Sequence, residues 1–126
     1  MSKLLASVET ILQKHGAAVD MWEIEGPGRS GELAYKAVEE NPSAVVVAGG
    51  DGTINETLDA LAYSEIPLGL LPIGTVNVLA REIGLSPRAD NVASALLTCR
   101  TQTVHLGQTG THYFTMMAGI GFDADV

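Results

Sequence analysis

The sequence predicts an α/β protein: a doubly wound, mostly parallel sheet followed by one antiparallel hairpin. Two short apolar runs, "AVVVA" at 44–48 and "IPLGLLPIG" at 66–74, lack polar alternation, which marks strands covered on both faces. Segments of helical apolar spacing separate such runs, and that βα alternation builds parallel sheets through helical crossovers. After Arg100 the pattern changes, and "QTVHLGQTGTHYFTMMAG" reads as two strands around a tight turn at Gln108–Thr111.

The first helix is given by Leu4, Leu5, Val8, Ile11 and Leu12, with Gly16 as its C′ residue. "AAVDMWEIE" at 17–25 alternates like a strand, and "GPG" at 26–28 breaks it. Ser30 is placed to cap a helix over 31–40, whose Leu33, Ala34, Ala37 and Val38 share a face. Asn41-Pro42 ends it, because proline disfavours α geometry in the residue before it. After "AVVVA", Thr53 and Glu56 form a T-x-x-E capping box that starts the next helix at Ile54. "TVNVLAREIG" at 75–84 begins another, and Ser86-Pro87 opens the last, with Pro87 near N1 and the end near Cys99.

Composition excludes more than it proposes. Seven basic and fifteen acidic side chains leave a net charge of −8, which argues against nucleic acid as a partner and against a polybasic membrane anchor. No run reaches the ~20 apolar residues of a membrane span. Cys99 is the only cysteine; it reads as a reduced, core-facing thiol of a cytoplasmic protein.

The chemistry concentrates in "AGGDGTINE", 48–56. A buried strand runs into Gly49-Gly50-Asp51-Gly52 and then into a helix, whose free N–H groups and dipole face the turn. Glycines there permit positive φ and close approach, so the turn is an anion seat at the carboxyl end of a strand. The Walker A pattern is absent, and so is the Rossmann fingerprint. A second turn of the same style, "LLPIGTVN" at 70–77 with Gly74, Thr75 and Asn77, stands ready to converge on the same polyphosphate. No lysine or arginine lies between Lys36 and Arg81. Backbone amides and threonine hydroxyls must then hold the phosphates, and Asp51 is the candidate ligand for a Mg²⁺ ion that neutralises them. His105 and His112 flank the hairpin turn without a third ligand at metal spacing.

"VVVAGGDGTINETLDAL", "LPIGTVNVLAREIGL" and "YFTMMAGIGFDADV", in that order and spacing, resemble the catalytic domain of the diacylglycerol kinase and lipid kinase family. GGDGT is shared with NAD kinases; the later blocks favour the lipid kinases. The resemblance implies an α/β nucleotide domain over 1–103 and the start of a β-rich lipid-binding domain over 104–126. It implies ATP and Mg²⁺, with Gly49, Gly50, Asp51, Gly52, Thr53, Ile54 and Asn55 at the ATP phosphates and Gly74, Thr75 and Asn77 on the second side. Asp123 in "GIGFDA" is placed toward the lipid side, although the same letters also match a G-x-G-x-x-A dinucleotide pattern. The sequence departs from the family at three places: it begins within the first helix, it ends after one hairpin, and Val78 stands where relatives carry an aspartate after GT-x-N. The family's glutamate base is expected beyond residue 126, so the chain alone is expected to be nearly inactive and, with open strand edges, to self-associate. Membrane contact is expected only through the lipid-binding domain. An NAD kinase-like enzyme and a non-catalytic nucleotide-binding module are the other readings.

Overall fold

A computed structural model describes residues 1–115. In chain order it contains α1 (Lys3–Lys14), α2 (Arg29–Glu39), β1 (Val45–Gly49), α3 (Asp51–Leu61), β2 (Leu68–Pro72), α4 (Val78–Glu82), α5 (Ala89–Thr98), β3 (Gly107–Thr109) and β4 (His112–Phe114). β1 and β2 pair in parallel, from Val45 opposite Leu68 to Gly49 opposite Pro72. Because side chains alternate along a strand, this register sorts the residues onto two faces.

One face carries Ala48 and Leu71, which pack with Val8 and Leu12 of α1 and Val92, Ala93 and Leu96 of α5. The other carries Val47 and Leu70, packed against Ile54 and Leu58 of α3, with Leu79, Leu106 and Tyr113 alongside. Helices therefore cover both faces, as the doubly wound reading requires. The cover is incomplete: Val46, on the α1–α5 face, is 41 % exposed. Two glycines set how close the layers come. A Cβ on Gly69 would lie 2.5 Å from Leu96, and one on Gly31 of α2 would lie 2.8 Å from the Glu56 carbonyl oxygen of α3.

β3 and β4 form the expected antiparallel hairpin. Thr109 pairs with His112, so the loop is Gly110-Thr111, one residue later than the sequence suggests, with Gly110 at φ 60°.

Four local expectations are corrected. Residues 17–25 form no strand; alternation sorts side chains, but a strand exists only where a ladder partner stands beside it. Ser30 is not a cap: Gly28 in the left-handed region precedes α2, and Ser30 is buried inside the first turn, donating its hydroxyl to the Glu56 carboxylate. Helix α5 starts at Ala89 with Arg88 as N-cap, so Pro87 lies ahead of it. Cys99 is exposed, closing α5 at φ 51° instead of facing the core.

Candidate functional site

The parallel register brings Gly49 and Pro72 side by side at the carboxyl ends of their strands. Both chains leave the sheet there, so the turns after β1 and β2 must meet. They touch at backbone level: a Cβ built on Gly74 would lie 2.4 Å from the Gly50 Cα, and one on Gly50 would lie 3.3 Å from the Gly74 Cα. Any side chain at Gly74 would drive the turns apart.

The GGDG turn is tighter than its sequence implies. Helix α3 begins at Asp51 with Gly50 as N-cap, and no side chain caps it, so Thr53 and Glu56 form no capping box. Glu56 is held by Ser30 instead. Gly49, Gly50 and Gly52 all keep negative or extended φ, so their glycines serve space and not left-handed backbone. For Gly49 the neighbour is Thr53, whose side chain would sit 2.8 Å from an added Cβ. Gly52 is different. A Cβ there meets nothing within 4 Å, and a glycine inside a helix costs roughly 0.5–1 kcal/mol relative to alanine. The fold gives no reason for it; a ligand lying against the first amides of α3 would.

The acid in the turn has a partner in the structure. Asp51 accepts the N–H of Val78 at 2.9 Å on one carboxylate oxygen and that of Leu79 at 3.2 Å on the other. It thereby caps α4, a helix of five residues with no cap of its own beyond Asn77 at φ 56°. Asn77 closes the loop before it, accepting the Gly74 N–H at 3.0 Å and donating to the Gly74 carbonyl at 2.8 Å. The expectation of two free helix starts is corrected here: the amides of α4 are given to Asp51, and only α3 offers uncapped ones. Val78 thus contributes through its backbone.

The remaining predicted residues divide. Thr53 lies in the first turn of α3, and Thr75 is exposed on the second loop. The Ile54 side chain is buried and its N–H bonds the Gly50 carbonyl at 3.1 Å. Asn55 points to the hairpin, where its side-chain oxygen accepts the Thr115 N–H at 3.1 Å. Asp123 and the GIGFDA block lie outside the described residues.

Sequence reasoning did not find Asp59. Its two oxygens take the Tyr113 N–H at 2.8 Å and His112 Nδ1 at 2.6 Å. The Tyr113 amide, and then His112, hold its carboxyl below the usual carboxylate range against the opposing effect of burial. A hint was present: Asn55 and Asp59 stand four residues apart on one helix face.

A nucleotide phosphate fits this turn on the open space at Gly52 and the uncapped amides of α3. For a divalent cation the donor set is sparse. No three metal-binding side chains gather among the described residues. Asp51 keeps spare lone pairs after accepting one amide on each oxygen. Mg²⁺ usually needs one or two carboxylates beside water and substrate phosphates, so the residues fit it in that mode.

Fold and turn together define an open α/β domain whose two glycine-bearing turns meet where two adjacent parallel strands end, the place such sheets hold ligands. The chain belongs to the diacylglycerol kinase catalytic domain family, whose model matches residues 1–109. It is 36 % identical over 114 residues to a diacylglycerol kinase of Mycobacterium tuberculosis, covering 84 % of this chain and 37 % of the relative. To a diacylglycerol kinase of Bacillus subtilis it is 32 % identical over 123 residues, covering 94 % and 40 %. A YegS-like lipid kinase of Pseudomonas putida is 35 % identical over 117 residues, 91 % of this chain and 39 % of that one. The chain therefore spans about two fifths of the length of these curated relatives. Among solved structures, a Bacillus anthracis protein assigned as a diacylglycerol kinase superposes with a TM-score of 0.76 at 22 % identity, over 88 % of this chain and 38 % of that one. That match speaks for the fold.

Proposed function

We propose that this chain supplies the nucleotide-binding part of an ATP- and Mg²⁺-dependent lipid kinase. Residues 1–103 would form the nucleotide domain, and 104–126 would begin the lipid-binding one. The observation that carries the reading is Gly52: glycine in a helical first turn, without steric need, beside amides that no side chain caps. The hydroxyl oxygen of a lipid would attack the γ-phosphorus of ATP as the bond to the β,γ-bridging oxygen breaks. ADP leaves with the electron pair, and the hydroxyl proton passes to a base outside this chain. In such transfers positioning and charge neutralisation do most of the catalysis.

Within the chain, the amides of Asp51, Gly52 and Thr53 would bind phosphate, with Thr53 and Thr75 offering hydroxyls. Gly50 and Gly74 keep the two turns in contact. Bound Mg²⁺ would neutralise phosphate charge, and the Asp51 carboxylate would orient its water shell. We place the protein in the cytoplasm, meeting the membrane through its lipid-binding part. No helix among the described residues is long and apolar enough to cross a membrane.

Calorimetric titration of the chain with ATP, with and without Mg²⁺, tests the binding half. Saturable binding that weakens in EDTA is expected; absence of binding would sink the reading. Phosphoryl transfer from labelled ATP to diacylglycerol and to NAD, by the protein carrying this chain, tests the rest. Labelled NAD alone would indicate an NAD kinase-like enzyme, and ATP binding without transfer to either would indicate a binding module.

A further inference from the structure

Asn55, Asp59 and Tyr63 recur at intervals of four along and just beyond α3. All three meet β4. Thr115 N–H bonds Asn55, Tyr113 N–H bonds Asp59, and His112 Nδ1 reaches the second Asp59 oxygen. The Tyr63 ring packs edge-on to Tyr113 with centroids 5.8 Å apart. Residues 113 and 115 are two apart, so both N–H groups point the same way, off the outer edge of the hairpin. The helix side chains stand where another strand's carbonyls would, and Thr115 is buried as a result.

The same helix has the candidate phosphate turn at its other end. Asn55 is four residues from Asp51, about 6 Å along the axis. We propose that Asn55 and Asp59 are positioning residues: they hold the hairpin at a fixed place relative to the first turn of α3, so nucleotide binding and hairpin docking reinforce each other. This rests on the nucleotide reading above. Phosphate on the uncapped amides would stop the first turn from fraying, and that steadies Asn55 and the strand it holds. The coupling must be reciprocal, so loss of the hairpin contact weakens ATP binding by the same factor.

Amide hydrogen exchange at Tyr113 and Thr115, read by NMR on the whole chain, tests this. Both amides should be protected without ligand, and saturating Mg-ATP should slow their exchange by about threefold or more. In Asp59→Leu the Tyr113 amide should exchange about tenfold faster, whereas Asp59→Asn, which keeps an acceptor oxygen, should restore most of the protection. Asn55→Leu and Asn55→Asp should do the same at Thr115. ATP that binds yet leaves both exchange rates unmoved overturns the coupling alone. Absence of ATP binding overturns it together with the nucleotide reading. Protection that survives both leucine variants overturns the positioning role. If those variants do not fold, the ligand-dependent rates of the unmodified chain still decide.

Discussion

Asp51 and Gly52 are neighbours with opposite histories. The acid has a role in the fold, since two amides of α4 need an acceptor and Asp51 is the one they have. The glycine is explained by nothing in the fold. Each difference can be measured. Asp51→Ala should cost about 1.5–3 kcal/mol in denaturant unfolding, because it leaves two part-buried donors without an acceptor. The loss should be the same in EDTA as in Mg²⁺; a residue kept only for a cation would show no loss once the cation is gone. Gly52→Ala should do the reverse, raising stability by about 0.5–1 kcal/mol through helix propensity while weakening ATP binding at least about tenfold. The sequence makes the oddity of both residues visible. It could not show that Asp51 caps a helix 27 positions away, because that depends on two strands ending side by side.

Among the elements, α3 does the most. It packs on the sheet through Ile54 and Leu58, lies close under α2 at Gly31, and carries the hairpin on Asn55 and Asp59. Gly31→Ala should destabilise the chain by about 1–3 kcal/mol, since the new methyl must displace backbone, not a flexible side chain. The hairpin contact also gives a pH dependence. The groups around it are Asp59 and Glu56 of α3, Tyr63 beyond it, and His112 and Tyr113 of β4. The folded-state pKa of Asp59 is depressed, so its contribution is present above the ordinary carboxylate value and fades as pH falls through the lower folded one. Protection of the Tyr113 amide should therefore hold through the neutral range and fall in acid below about pH 4. Helical periodicity made α1, α2, α3 and α5 legible, because apolar spacing is what each helix buries. Their starts were less legible. Thr53 and Ser30 have the right letters for caps, yet tertiary partners and close packing took over both sites.

Across the whole molecule, the two-faced sheet joins segments far apart in sequence. Leu71 packs with Val8 and Val92, so Leu71→Ala should cost about 2–4 kcal/mol and loosen α1 and α5 together. β1 has no second neighbour among the described residues, and Val46 is part-exposed on it; this supports the proposal that the chain self-associates, which light scattering over a concentration series would check. The sheet class was readable from continuous apolar runs, whereas residues 17–25 had the pattern of a strand and lacked a partner. Docking of the hairpin on α3 was beyond reach, since its contacts span 53 to 60 residues and depend on side chains that also suit a solvated helix face.

Every role proposed for the site depends on the first turn of α3 being the phosphate seat. Titrating Mg-ATP into the isotope-labelled chain while following backbone amide shifts tests it most directly. The largest movements are predicted at the amides of Asp51, Gly52 and Thr53, with those of Val78 and Leu79 moving less because Asp51 already holds them. Binding whose largest shifts fall elsewhere, with those three amides still, would contradict it.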